Sequence, residues 1–213
     1  MPRTKQQPKK VDIAPLVEEA LKTEENMSKV VETLSDSSRR ERQTASSIVY
    51  EVAKQDISKV EPFVKDIIDA LNRPEVQTRW KALLTLTLLI PTDSKNCMKA
   101  IEAAEDSLFD EMSGPLRLSA FVFLCNLGST TTSRSKTVWP LIDEAIQCYH
   151  GDIEFFDMLD ALTLFSKGKL DAEVKEELSE RMAFDAENAT GKLKAMSEDI
   201  IENLKPKSKR SKK

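Results

Sequence analysis

The stretch LNRPEVQTRWKALLTL, residues 71–86, decides the fold. It opens on turn formers around Pro74, then runs through Arg79 and Ala82 into Leu83, Leu84 and Leu86. Apolar residues three and four apart mark one face of a helix. The same grammar appears upstream in LSDSSRRERQTASSIV, 34–49, and downstream in FDEMSGPLRLSAFVFL, 109–124. A base followed three positions later by Ala recurs as Arg42/Ala45, Arg79/Ala82, Arg117/Ala120 and Lys192/Ala195, while Met158/Ala161 keeps the Ala and loses the base. Successive intervals are 37, 38, 41 and 34 residues. A period of this size marks stacked helical hairpins, each burying one face on its own partner and another on the next unit. Ala at a fixed helix position lets neighbouring helices approach closely, so all five alanines are predicted at equivalent buried positions. The bases are predicted to reach carbonyls or carboxylates of neighbouring turns.

Outward from these stretches, helical spacing continues along most of the chain. Helices are predicted near 12–22, 26–35, 39–54, 58–72, 74–90, 94–110, 115–128, 135–149, 152–167, 171–185 and 188–204, the first an extra cap. Pro62, Pro74, Pro115 and Pro140 suit a first helical turn, where a missing N–H costs little, and Pro91 suits a helix end. Asp56, Asp93, Ser113, Ser133, Asp152 and Asp171 are candidate N-caps, because their short oxygens accept from free first-turn N–H groups. Only five Gly in 213 residues agrees with a helical chain.

The three quoted stretches resemble the inter-helix turn and second helix of HEAT repeats, members of the armadillo-like α-solenoids. The resemblance covers about 26–204. It implies an all-α fold: an α-solenoid of about five HEAT-like helical hairpins with an N-terminal capping helix. The family's turn Asp has candidates in Asp36 and Asp110, with Asn72 at the related place in the second unit. Met158 interrupts the row of bases in the fourth.

Charge divides the chain into three parts. Residues 1–10 hold four bases and no acid, and residues 205–213 hold six bases and no acid. Both are read as disordered basic tails. The body, 11–204, is read as one solenoid domain with 22 bases against 36 acids, a net charge of −14. Cys97, Cys125 and Cys148 lack CxxC spacing, which predicts free thiols in the cytoplasm rather than disulfides or zinc. No stretch is apolar enough to span a membrane, and the N-terminus lacks the apolar run of a secretory signal.

Catalytic readings fare poorly. His150 is the single histidine, in a loop two residues from Cys148. A Cys–His nucleophile needs spatial contact and an orienting third group, so His150 is read as a surface loop residue and Cys148 as a buried helix-end residue. No phosphate-binding or zinc-protease motif is present. No enzyme activity, cofactor or metal is predicted. Some HEAT-like folds are glycosylases for alkylated DNA bases, and Trp80 with Glu75 resembles their aromatic and acidic residues loosely. A −14 body opposes duplex binding, and both Trp80 and Trp139 are read as core.

The fourth second helix carries the sharpest binding signal. At 100° per residue, Phe155, Met158, Leu159, Leu162 and Phe165 share one face. Asp157 and Asp160 lie opposite, flanked by Ile153, Phe156 and Leu164. An acidic strip with apolar neighbours suits a basic amphipathic segment, unless the helices of 171–204 cover it. Phe156, Asp157, Asp160 and Leu164, with Arg39 and Arg40 of the first unit, are the candidate partner-binding residues. The function predicted is a non-catalytic scaffold or adaptor for a protein partner. Nucleic-acid association through the tails and a divergent glycosylase are the alternatives.

Overall fold

The computed structural model describes residues 11–206. Apart from Lys205 and Pro206, the two basic tails lie outside the described residues. Eleven α-helices and no strand occur among those described. An N-terminal helix α1 (Ala14–Lys22) precedes five hairpins. These are α2 (Glu24–Glu32) with α3 (Arg39–Gln55), α4 (Val64–Asp69) with α5 (Val76–Cys97), and α6 (Ile101–Leu108) with α7 (Gly114–Gly128). The last two are α8 (Thr132–Tyr149) with α9 (Phe155–Ser166) and α10 (Ala172–Asn188) with α11 (Gly191–Leu204). Short 3-10 turns extend several helices, as at Thr33–Ser35 and Ala70–Asn72.

Local chemistry sets the helix ends. Ser38, Ser113 and Asp171 accept from the backbone N–H of Glu41, Leu116 and Glu173. Asp56 caps a 3-10 turn by accepting from the N–H of Ser58 at 3.1 Å. Asp93 is the one non-helical residue inside α5, with φ −137° and ψ 53°. It accepts from the N–H of Asn96 at 3.1 Å and so starts a new helical turn. The second unit's long helix therefore ends near Pro91, and the first helix of unit three begins at Asp93. Four expectations about helix starts are corrected. Thr131, not Ser133, caps α8. Asp152 caps nothing, since α9 starts at Phe155 without a side-chain cap. Pro140 sits inside α8, which starts eight residues earlier. Pro74 stays in the turn before α5, because Glu75 occupies the cap position with its side chain committed elsewhere.

The second helices pack side by side in the order α3, α5, α7, α9, α11. Ala45, Ala82, Ala120 and Ala161 are all buried, at 2%, 3%, 0% and 4% exposure. Ala82 and Thr85 of α5 face Ser46 and Val49 of α3 around one tight void, the close approach that small side chains permit. Ala195 departs from the pattern and is exposed. Helix α11 packs through Leu193, Met196, Ser197, Ile200 and Leu204, so Lys192/Ala195 repeats the spacing without the register.

The bases join consecutive units. Arg42 donates through Nε to Glu75 at 3.1 Å and through Nη2 to the same carboxylate. It also donates to the carbonyl oxygens of Asp36 at 2.6 Å and Ser37 at 3.0 Å. Arg79 pairs with Asp110 at 3.4 Å and donates to Ser107 at 3.0 Å. Arg117 stands 3.7 Å from Glu154 and 4.0 Å from Asp152. Each base thus reaches the turn acid of the following unit. The Arg42 guanidinium holds the buried Glu75 carboxyl below the usual carboxylate range. Met158 ends this series. The junction of units four and five relies instead on pairs between α8 and α10: Arg181 to Asp143 at 2.7 Å, Lys136 to Glu173 at 2.8 Å, and Trp139 to Glu177. His150 adds a contact to the buried carboxylate of Asp185 at 3.0 Å.

Candidate partner-binding face

The packed row of second helices leaves one long face uncovered, and that face holds the candidate site. On α9 the core side is complete: Phe155, Met158, Leu159, Leu162 and Phe165 are buried to 3% exposure or less. The opposite side is open. Phe156 is 39% exposed, Leu164 62% and Ile153 91%, and Asp157 and Asp160 are exposed between them. The helices of 171–204 do not cover this strip. Helix α11 runs along the flank of α9, where Asn203 donates to the Ser166 hydroxyl at 3.1 Å, and leaves Leu164, Asp157 and Asp160 exposed. Lys192 of α11 stands 5.0 Å from the centre of the Phe156 ring. Neither Asp157 nor Asp160 is in an ion pair among the described residues. The strip is therefore acidic and apolar, with neither aspartate ion-paired among the described residues.

The other candidates lie elsewhere. Arg39 and Arg40 open α3 and are exposed, with α5 and α7 intervening between α3 and α9 in the row. Arg40 lines a cavity of about 210 Å³ with Gln43, Thr44, Ser47 and Gln77. Sequence spacing did not reveal a neighbouring cluster. Lys81 of α5 lies 4.4 Å from the Tyr50 ring centre and 5.1 Å from that of Trp80, and Lys54 lies 5.0 Å from Tyr50. Residues 50 and 81 belong to different units, so their meeting shows only once α3 and α5 are packed.

Glu75 is not free to accompany Trp80, because it is 4% exposed and bound by Arg42. Trp80 is half-buried and packs on the core. Trp139 is buried and stacks on Phe165 at 6.4 Å. Cys148 is exposed, a correction. The buried face of α8 runs through Val138, Ile142, Ala145 and Ile146, and Cys148 falls outside it. Burial pushes the Cys97 thiol up to about 11 and holds that of Cys125 well above the usual thiol range, so neither is a ready thiolate. Among the described residues, no cluster of His, Cys, Asp and Glu is arranged to hold a metal, and no helix is long and apolar enough to cross a membrane.

No protein-family model and no curated protein matches the chain. Solved structures do. A designed armadillo repeat protein in complex with the peptide (KR)4 is 14% identical, with a TM-score of 0.71 over 91% of this chain and 91% of that one. A computationally designed armadillo repeat protein for modular peptide recognition is 15% identical, with a TM-score of 0.67 over 90% and 91% of the two chains. An engineered protein is 13% identical, with a TM-score of 0.69 over 89% and 87%. The fold is an armadillo-like α-solenoid. At these identities the likeness concerns the path of the backbone, and the solenoid's function must be argued from its own side chains.

Proposed function

We propose that this chain is a non-catalytic scaffold that holds a segment of a partner protein on the open face of its second-helix row. The segment is basic, with an apolar anchor. The observation that carries this reading is the exposure of Phe156 and Leu164 beside Asp157 and Asp160, in a strip that no other helix among the described residues covers. Buried apolar anchors supply most of an interface's affinity, and charges mainly set encounter rate and orientation. A basic residue beside an apolar one meets both needs on α9. The peptide (KR)4 bound by the designed neighbour gives a precedent for a basic segment on this fold.

The test is affinity capture from lysate with the full chain and with a Phe156→Ala/Asp160→Lys variant, each matched by circular dichroism. The reading expects wild-type partners to be lost from the variant and to share a basic, amphipathic region. Retention of every partner by the folded variant refutes the surface.

A further inference from the structure

The same face has a second pole, of opposite charge, at the other end of the row. The Lys81 ammonium is half-buried between the Tyr50 and Trp80 rings. No carboxylate among the described residues stands within ion-pair distance of it. The nearby acid is Glu51, which Lys54 already holds at 2.5 Å. Burial keeps the Lys81 ammonium below the usual lysine range. Aromatic faces favour a cation but do not neutralise it, and a partly desolvated charge is favoured by an opposite charge at close range. Arg40, also without an ion pair among the described residues, lines the adjoining cavity with Gln43, Ser47 and Gln77. This cavity offers hydroxyl and amide groups to the same ligand that the cations attract.

Between the poles the row is apolar. Leu84 and Leu88 of α5 and Leu118 and Val122 of α7 are only partly buried. The face therefore runs from basic on α3 and α5, through apolar, to acidic on α9. Packed helices lie about 8–10 Å apart, so the poles are separated by roughly 20–25 Å. An extended chain covers that distance in about six to eight residues.

We propose that the bound segment is two-signed: an acidic stretch lies against Lys81, Lys54 and Arg40, and a basic stretch about six to eight residues away lies against Asp157 and Asp160. This rests on the reading of the open face as the partner-binding surface. It assigns an acceptor site for carboxylates to the Tyr50–Trp80–Lys81 cluster. A nucleic acid fits poorly, because a continuous polyanion that satisfied Lys81 would meet the two aspartates.

Fluorescence polarisation with the full chain tests the assignment. The probes are labelled (KR)4, labelled (DE)4, a composite peptide DEDE-ALVLAA-KRKR, and a peptide of the composite's composition with its charges interleaved. The composite is expected to bind about tenfold or more tighter than (KR)4, because linking two weak contacts makes the second intramolecular. The interleaved peptide is expected to show no such gain. Lys81→Ala with Lys54→Ala is expected to abolish the gain and leave (KR)4 binding unchanged. Because Lys81 is half-buried, Lys81→Gln serves as a second variant, and circular dichroism confirms the fold of both. A composite no tighter than (KR)4, or a gain that survives both variants, overturns the proposal. Silence of (KR)4 together with Lys81-dependent binding of (DE)4 upholds the carboxylate site and removes the reading of α9. Lys81-dependent capture of duplex DNA overturns the assignment to a protein segment.

Discussion

Replacing Gly168 by Ala tests how tightly units three and four are locked together. Gly168 follows α9 and runs against the end of α7. The crossing is pinned by the Lys169 N–H, which donates to the Ser129 carbonyl oxygen at 2.7 Å, while the Gly168 N–H closes the end of α9 by donating to the Phe165 carbonyl oxygen at 2.8 Å. A Cβ at position 168 stands 2.5 Å from Ser129 Cβ, 2.7 Å from Ser129 Cα and 2.7 Å from the Ser129 carbonyl oxygen. Two of these three atoms are backbone, so no rotamer change relieves them. Ordinary contact begins at 3.4 Å, and the strands of chain must part by about 0.7 Å. Overpacking of this kind costs about 2–3 kcal/mol. Gly→Ala recovers about 0.4–1 kcal/mol by restricting the unfolded chain. The net loss is about 1–2.5 kcal/mol. For a chain of this size each kcal/mol lowers the melting temperature by about 2–4 °C, so a fall of about 2–10 °C is expected. Thermal and urea unfolding followed by circular dichroism reads it directly. Gly114→Ala is the comparison, with a smaller loss expected, because its Cβ meets the flexible Glu154 side chain rather than backbone and disturbs only the Arg117–Glu154 pair. A Gly168→Ala melting curve superimposable on wild type refutes the close crossing.

Other perturbations have equally definite outcomes. Ala82→Leu or Ala120→Leu is expected to destabilise by about 1–3 kcal/mol through overpacking between second helices, and an unchanged melting curve shows that the site is not a close contact. Glu75, held below the ordinary carboxylate value of 4.5 by Arg42, contributes stability that is present above that value and is lost as pH falls through its native one. Glu75→Gln should therefore lower the melting temperature at pH 7 and lose that difference progressively as pH falls below 4.5. A difference that persists undiminished into acid contradicts the ion pair. A chain trimmed to 11–204, net −14, is expected to bind duplex DNA negligibly at physiological salt; retained binding revives a nucleic-acid role. Phe156→Ala is expected to weaken partner binding more than Asp157→Asn does, and the reverse order places the affinity in charge rather than in the anchor.

The hairpin stack was legible because its two signals are local. Apolar spacing places α7 to within one residue and α9 to within three, and the base–Ala pair marks three buried alanines, with Ala161 found by its spacing alone. The same pair misleads at Lys192/Ala195, where spacing recurs but the helix is rotated about its axis. Contacts between units were less visible. The turn acid that Arg42 grips is Glu75, 33 residues on, rather than a residue of its own turn. An acid 31–35 residues after each base, as at Glu75, Asp110 and Asp152, is the sequence signal that was present. The acidic strip on α9 was legible from helical angles alone. The Tyr50–Lys81 contact was not, because it depends on how far α3 and α5 slide along each other, which no single helix encodes.

The central claim is that the open face of the second-helix row binds a basic segment. Amide and methyl chemical-shift mapping of the full chain during titration with (KR)4 tests it most directly. The account expects saturable shifts centred on Phe156, Asp157, Asp160 and Leu164, extending to Leu118 and Val122. It expects no shifts on the outer helices α4, α6 and α8 or at Met112 in the turn before α7. Shifts confined to those outer helices and that turn, or no saturable shift at millimolar peptide, contradict it.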